Sequence, residues 1–354
     1  MREFDIVIVG AGPAGANLAR LIDARRYRVL LIDGSAGHDK VCGGLISPDA
    51  QHILARYDIS LPRDILANPQ LFSVRTIDLG NGLTRHYRRS YMNVDRRRLD
   101  DFFRSLIPDT IPILHGRCEQ VMRRQGGFTL CVAGEEISCR YLVGADGAGS
   151  VVRRSLFANH PIHKYTAIQQ WFAADAVNPY YSCLFDNATS TGCSWIFFKD
   201  GALIFGGAFD THGAREAFEQ QKLKLIERGI VDGRVLASPI KTEACTVARP
   251  HLRRGVLHGA DGAFLIGEAA GWISPSSFEG ISYALQSSED LADAFVACDR
   301  PQKILHAYRQ NSRPLMVKIH LRCLKRPFMY NQQLRTWVLK SGLTALHLRK
   351  GESP

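Results

Sequence analysis

Three glycines at positions 10, 12 and 15 have the spacing that lets a peptide backbone hold a phosphate. The string Gly10-Ala11-Gly12-Pro13-Ala14-Gly15 follows an apolar run, Phe4 to Val9, which reads as a fully buried parallel strand, and precedes a plausible helix, Ala16 to Asp23. In such a strand–turn–helix unit Gly10 permits the turn, Gly12 lets a pyrophosphate approach backbone N–H groups, and Gly15 allows helix and strand to pack closely. The helix start adds partial positive charge. A second strand, Arg28 to Ile32, ends at Asp33, where an acid can hydrogen-bond a ribose hydroxyl. These features together predict a bound adenine dinucleotide. The one strongly placed reactive side chain is Cys42, as proton donor, redox partner or structural thiol. No Ser-His-Asp order or metal-spaced His cluster offers another catalytic centre, and His163, His212 and His258 read as surface or core residues.

Further elements must complete such a site. Tyr141 to Gly147 reads as a buried strand ending in Asp146-Gly147, with a helix beginning after Ala148. Phe264 to Gly271 reads as another strand, ending at Gly267-Glu268-Ala269-Ala270-Gly271, and a long helix runs from Gly280-Ile281 to about Ala297. With these strings in this order, the sequence resembles the flavoprotein superfamily of aromatic hydroxylases and geranylgeranyl reductases. The resemblance implies that the dinucleotide is FAD, that Asp146, Gly147 and Gly267 to Ala269 belong to the second and third FAD fingerprints, and that the third acid contacts the ribityl chain. It also implies that the helix after Gly280 points its N-terminus at the flavin's pyrimidine end, favouring the anionic reduced form. An arginine at the position of Arg96 contacts the cofactor in that superfamily; its alternative is a solvated helix start.

Two strings narrow the branch. Lys40-Val41-Cys42-Gly43-Gly44-Leu45 is similar to the Lys-x-Cys-Gly-Gly-Gly segment that lies against the flavin in geranylgeranyl reductases. Cys193-Ser194-Trp195-Ile196-Phe197-Phe198 is similar to their Tyr-x-Trp-x-Phe-Pro substrate-cavity motif, which implies Trp195 and Phe197 as cavity lining. The stretches Tyr165 to Phe172 and Gly280 to Leu285 resemble those of the CbrA-like group of bacterial flavoproteins. Departures from the pattern are Asp33 for the commoner Glu, Glu268 for Asp, Leu45 and Phe278 for glycines, and Phe198 for proline. The cofactor site is expected to be kept and the substrate pocket altered.

The expected architecture is α/β. A Rossmann-like FAD-binding domain (residues 1–70, 91–158 and 250–300) is interleaved with a smaller antiparallel-sheet substrate domain (71–90 and 159–249), followed by a basic C-terminal helical segment (301–354). The turn Gly80-Asn81-Gly82 marks a hairpin. From Ala167 to Phe209 aromatic residues crowd several strands, and alternation should set part of them on one face as an apolar floor above the flavin.

The 354 residues include nine cysteines, an odd number without a CxxC pair, as in reduced cytosolic proteins. No long apolar run suggests a membrane span, and the first strand begins too close to Met1 for a signal peptide, so a cytoplasmic location is expected. The net charge of +11 is concentrated in one place: residues 300–351 hold twelve Lys or Arg and no Asp or Glu. That tail reads as helices broken near Pro314, Pro327 and Gly342. It is either a cap with a solvated basic face or a surface for anionic lipid at the inner membrane face; nucleic acid is not expected.

The resemblance implies a reductase acting on carbon–carbon double bonds of an apolar, isoprenoid-like molecule. Two readings stand beside it: a monooxygenase on the same scaffold, and a non-catalytic flavoprotein docking on membrane or partner through the tail. Without a second glycine fingerprint, any NAD(P)H must bind transiently, or another carrier brings electrons.

Overall fold

The computed structural model describes residues 2–34, 41–175, 178–252 and 255–346. Lys40, expected to lead the cysteine segment, and the last basic residues of the tail fall outside them.

An eight-stranded sheet forms around Arg2–Val9, which pairs in parallel with Val29–Asp33 on one side and Glu135–Gly144 on the other. Ile113–His115 and Ala263–Leu265 extend the parallel order outward, and Cys118–Arg124 with Gly127–Val132 add an antiparallel meander. Both faces of the first strand are covered. Ile6 and Ile8 enter a core with Leu18 and Leu285, while Val7 and Val9 enter another with Leu142 and Leu265. An all-apolar strand is what such two-sided burial requires. Helix Pro13–Leu21 lies on the first of these cores against helix Ile281–Ala297, where the Asn17 amide donates to Ser288 Oγ at 2.7 Å.

The second sheet has seven strands in the order Lys241–Arg249, His163–Ala173, Ala202–Asp210, Ser194–Lys199, Tyr180–Phe185, Ser73–Asp78, Thr84–Tyr87. All its pairings are antiparallel except one, since Tyr180–Phe185 runs parallel to Ser73–Asp78. The hairpin read around Gly80 to Gly82 is therefore the rim of this sheet. Alternation divides its aromatics. Phe172, Phe198, Phe205 and Phe209 share a core with helix Ala214–Glu227, where Phe205 stacks on Phe218 at 4.8 Å. Trp171, Tyr181, Trp195 and Phe197 form a cluster of their own, joined by Leu45 and Tyr91.

Three tail helices follow, Pro301–Asn311, Arg313–Tyr330 and Gln332–Ser341. Pro314 and Gly342 stand at boundaries as expected, but Pro327 does not break its helix, which runs on to Tyr330. A proline in the last turn forfeits one backbone bond, while the face carrying Leu315, Ile319 and Cys323 is buried and keeps the helix seated. The tail is tied to the body at both ends. Tyr308 donates to the Leu265 carbonyl at 3.0 Å, and buried Arg335 meets buried Asp78 at 2.7 Å.

Candidate functional site

The glycine turn is built as its sequence suggests, with different physical reasons at each position. Gly10 has φ +107°, and a Cβ there would lie 2.6 Å from the Ala145 carbonyl oxygen. A Cβ on Gly15 would overlap the Gly10 carbonyl oxygen. Gly12 is different: no protein atom lies within 4 Å of where its Cβ would stand. It is the N-cap of helix Pro13–Leu21, with no side-chain cap, a proline in the first turn and no acid there. This is an open anion seat at a helix N-terminus.

The other two strings converge on that seat. The Ala145 N–H donates to the Val9 carbonyl at 2.8 Å, which sets Asp146-Gly147 beside the turn. One carboxylate oxygen of Asp146 accepts from the Val151 N–H at 2.6 Å, at the start of helix Val151–Leu156. Its other oxygen is buried with no hydrogen-bond partner among the described residues, and burial pushes the carboxyl up in pKa. Gly267, at φ +54°, brings its backbone so close that a Cβ would sit 2.8 Å from the Ala14 Cβ. Buried Glu268 accepts from the Ala248 N–H at 2.8 Å, tying the third string to the second sheet; Ala269 is buried beside it. Gly280 caps the helix begun by buried Ile281, and Glu279 accepts there from the Ser282 N–H at 2.8 Å. That helix start thus already faces one carboxylate. Asp33 ends its strand as expected, buried, with its carboxylate 3.7 Å from His115 Nδ1 and 3.9 Å from the Arg104 guanidinium.

The cysteine segment is clamped between the two sheets. Leu45–Ile46 pairs with Met92–Asn93, and the Gly44 carbonyl accepts from the Val94 N–H at 2.9 Å. Gly44 sits at φ +64° with no room for a Cβ beside the Val94 carbonyl oxygen. A Cβ on Gly43 would meet Phe197 Cζ at 3.0 Å. Phe197 is buried and Trp195 half-buried; the two expected lining residues share one face of their strand, and Trp195 donates to Gln169 Oε1 at 3.1 Å. Gly206 opposite makes room for the indole.

Two cations close on Cys42. Arg96, first residue of helix Arg96–Ser105, pairs with Asp100 at 3.0 Å and lies beside the Cys42 sulfur. Burial works against its charge, but Asp100 and the sulfur outweigh it and raise the guanidinium above its ordinary pKa. Arg96 is therefore no solvated helix start. Lys199 donates to the carbonyls of Gly43 at 2.6 Å and Val94 at 2.7 Å, and burial lowers its ammonium to about 8 while Cys42 opposes that fall. Lys199 is the residue that sequence reasoning missed. Its one signal is a charge at the end of the otherwise apolar Ile196-Phe197-Phe198 run. Phe278, where the resembling family has glycine, carries φ +56° and faces Arg249 at 5.2 Å, so the departure retains the glycine-type backbone and adds a ring.

An open helix N-terminus at Gly12, a buried Asp146 carboxylate oxygen without a partner among the described residues and the close approach of Gly267 to Ala14 fit a dinucleotide. Gly12 to Gly15 would hold its pyrophosphate, Asp33 the ribose, and Gly267 to Ala269 with Gly280-Ile281 the flavin half. Fold and site define an FAD-dependent oxidoreductase. Residues 125–321 match the FAD binding domain family, and residues 5–180 match the lycopene cyclase protein family. The chain is 42% identical over 353 residues to Protein CbrA of Escherichia coli K12, covering 97% of this chain and 98% of that protein, and is equally similar to Protein CbrA of Shigella sonnei. It belongs to the FAD binding domain family and, within it, to the CbrA proteins. Among solved structures, a geranylgeranyl bacteriochlorophyll reductase-like protein of Thermoplasma acidophilum superposes at TM-score 0.69 with 20% identity, covering 98% of this chain and 89% of that one. PqsL of Pseudomonas aeruginosa, a probable FAD-dependent monooxygenase, superposes at 0.72 with 18% identity, covering 96% and 100%. The two show the same fold.

Proposed function

We propose that this chain reduces carbon–carbon double bonds of an apolar, isoprenoid-like substrate. The observation that carries the reading is the patch of Trp171, Tyr181, Trp195 and Phe197 that packs with Leu45 against the Cys42 segment. Such a wall selects by burial of apolar surface and excludes water from the reacting carbons. FAD, when bound and reduced, supplies the hydride that adds to one alkene carbon. The other carbon needs a proton, and Cys42 gives it from its thiol. Arg96 and Lys199 stand beside the sulfur that gives it up, and solvent returns the proton. NAD(P)H visiting transiently, or another carrier, restores the two electrons.

The test is anaerobic. The holoprotein is reduced chemically, a geranylgeranyl lipid is added without oxygen, and the flavin absorbance is followed. Reoxidation matched to saturated product supports the reductase; a flavin that stays reduced until oxygen enters supports the monooxygenase reading, which the same fold accommodates. Cys42→Ala should keep its flavin and slow reoxidation by roughly a hundredfold, the usual worth of a positioned acid.

A further inference from the structure

The C-terminal helices present an apolar face to solvent. On Arg313–Tyr330 the residues Val317, Leu321, Leu324 and Phe328 follow helical spacing, i, i+4, i+7 and i+11, and all four are exposed. Leu321 and Leu324 each keep 61% of their surface in water. The stripe continues onto Gln332–Ser341 and its C-cap, with Leu334, Trp337 and Leu343 exposed, Trp337 at 64%. The opposite faces carry the buried Leu315, Ile319, Cys323 and Leu339, so both helices are seated on the body and apolar on their outer side as well. Exposed cations, Arg313 and Lys340, lie among these residues. From residue 300 to 351 the chain has no acid to oppose them.

We propose that this face docks on a membrane surface rich in anionic lipid, with the leucines and Trp337 entering the headgroup boundary and the cations meeting phosphate. The choice of lipid over a second protein copy rests on charge: an anionic surface complements the exposed cations of this acid-free tail, whereas a like copy would set them against each other. No helix among the described residues is long and apolar enough to cross a bilayer, so the tail lies on the surface. The docking does not depend on which reaction the flavin site performs.

The experiment uses the full-length holoprotein and sedimentation with vesicles of phosphatidylcholine alone or mixed equally with phosphatidylglycerol. The expected result is pelleting with the mixed vesicles only, weakened by salt. Leu321→Ser with Leu324→Ser should weaken it roughly tenfold per leucine, and Arg313→Gln or Lys340→Gln about fivefold each. All four positions are exposed, so flavin content and circular dichroism should stay at wild-type values. Trp337 reports insertion directly: the mixed vesicles should shift its emission to the blue, and the shift should vanish in Trp337→Phe. Failure to pellet with the mixed vesicles, or pelleting that the leucine variants leave unchanged, overturns the proposal. So does a concentration-dependent dimer in analytical ultracentrifugation that the leucine variants dissolve.

Discussion

Gly12 and Gly15 look alike in sequence, yet the structure predicts opposite consequences for replacing them. A Cβ at Gly12 meets no protein atom within 4 Å, and the backbone there, at φ −72° and ψ −175°, suits any residue. Gly12→Val should therefore leave the fold intact and even gain about 0.4–1 kcal/mol from a less flexible unfolded chain. The valine would instead stand where the pyrophosphate approaches the helix N-terminus. Losing two charge-assisted N–H bonds, at about 1.5–3 kcal/mol each, weakens FAD by roughly a hundredfold or more. A methyl at Gly15 overlaps the Gly10 carbonyl and must push helix from strand, at a cost of several kcal/mol, about 3 or more. Urea melts of the flavin-free proteins, alongside titration with FAD followed by fluorescence, separate the two effects. Equal losses of stability in both variants, or wild-type FAD affinity in Gly12→Val, would refute the reasoning.

Asp290 is buried with one carboxylate oxygen unpartnered among the described residues, and burial pushes its pKa from 3.8 to about 7. The folded state therefore holds a proton that the unfolded state releases, so stability is lost as pH rises from about 4 to about 7. Three units correspond to roughly 4 kcal/mol as an upper limit; Asp290→Asn should match wild type near pH 4 and exceed it at pH 8 in urea melts. Lys199→Met should bind FAD but turn over slowly, and its rate should lack the decline near pH 8 that the wild-type ammonium, losing its proton there, imposes. Arg335→Met strands Asp78 as a buried, unpaired carboxylate, and should lower the stability of the whole molecule by about 3–5 kcal/mol in the same melts.

The cofactor cradle was legible because its parts are local: a glycine turn after an apolar strand, an acid at a strand end, a long helix after small residues. The second sheet was legible as strands and as a hairpin, but its one parallel pairing was not, since nothing local brings Tyr180–Phe185 to Ser73–Asp78. Alternation separates Phe198 from Phe197 once the face is known; sequence alone does not say which face meets helix Ala214–Glu227 and which the Cys42 segment. Lys199 escaped because its partners are the carbonyls of Gly43 and Val94, which any sequence supplies. Pro327 misled because propensity speaks of an isolated helix, and this one is held by its buried face.

The cradle has a consequence for biosynthesis. Its first turn is complete in sequence by residue 15, but Gly267 packs against Ala14, and Asn17 is held by the helix that ends at Ala297. Between them the chain leaves for the second sheet, returns, and leaves again. The N-terminal strand gains both strand partners by residue 144, but a ribosome must release nearly three hundred residues before the last helix covers the face of Ile6 and Ile8, and until then that apolar face needs shelter from other nascent chains. Flavin capture must thus wait for the third string, and scarcity of the cofactor should be felt as a shortage of stable protein as well as of activity.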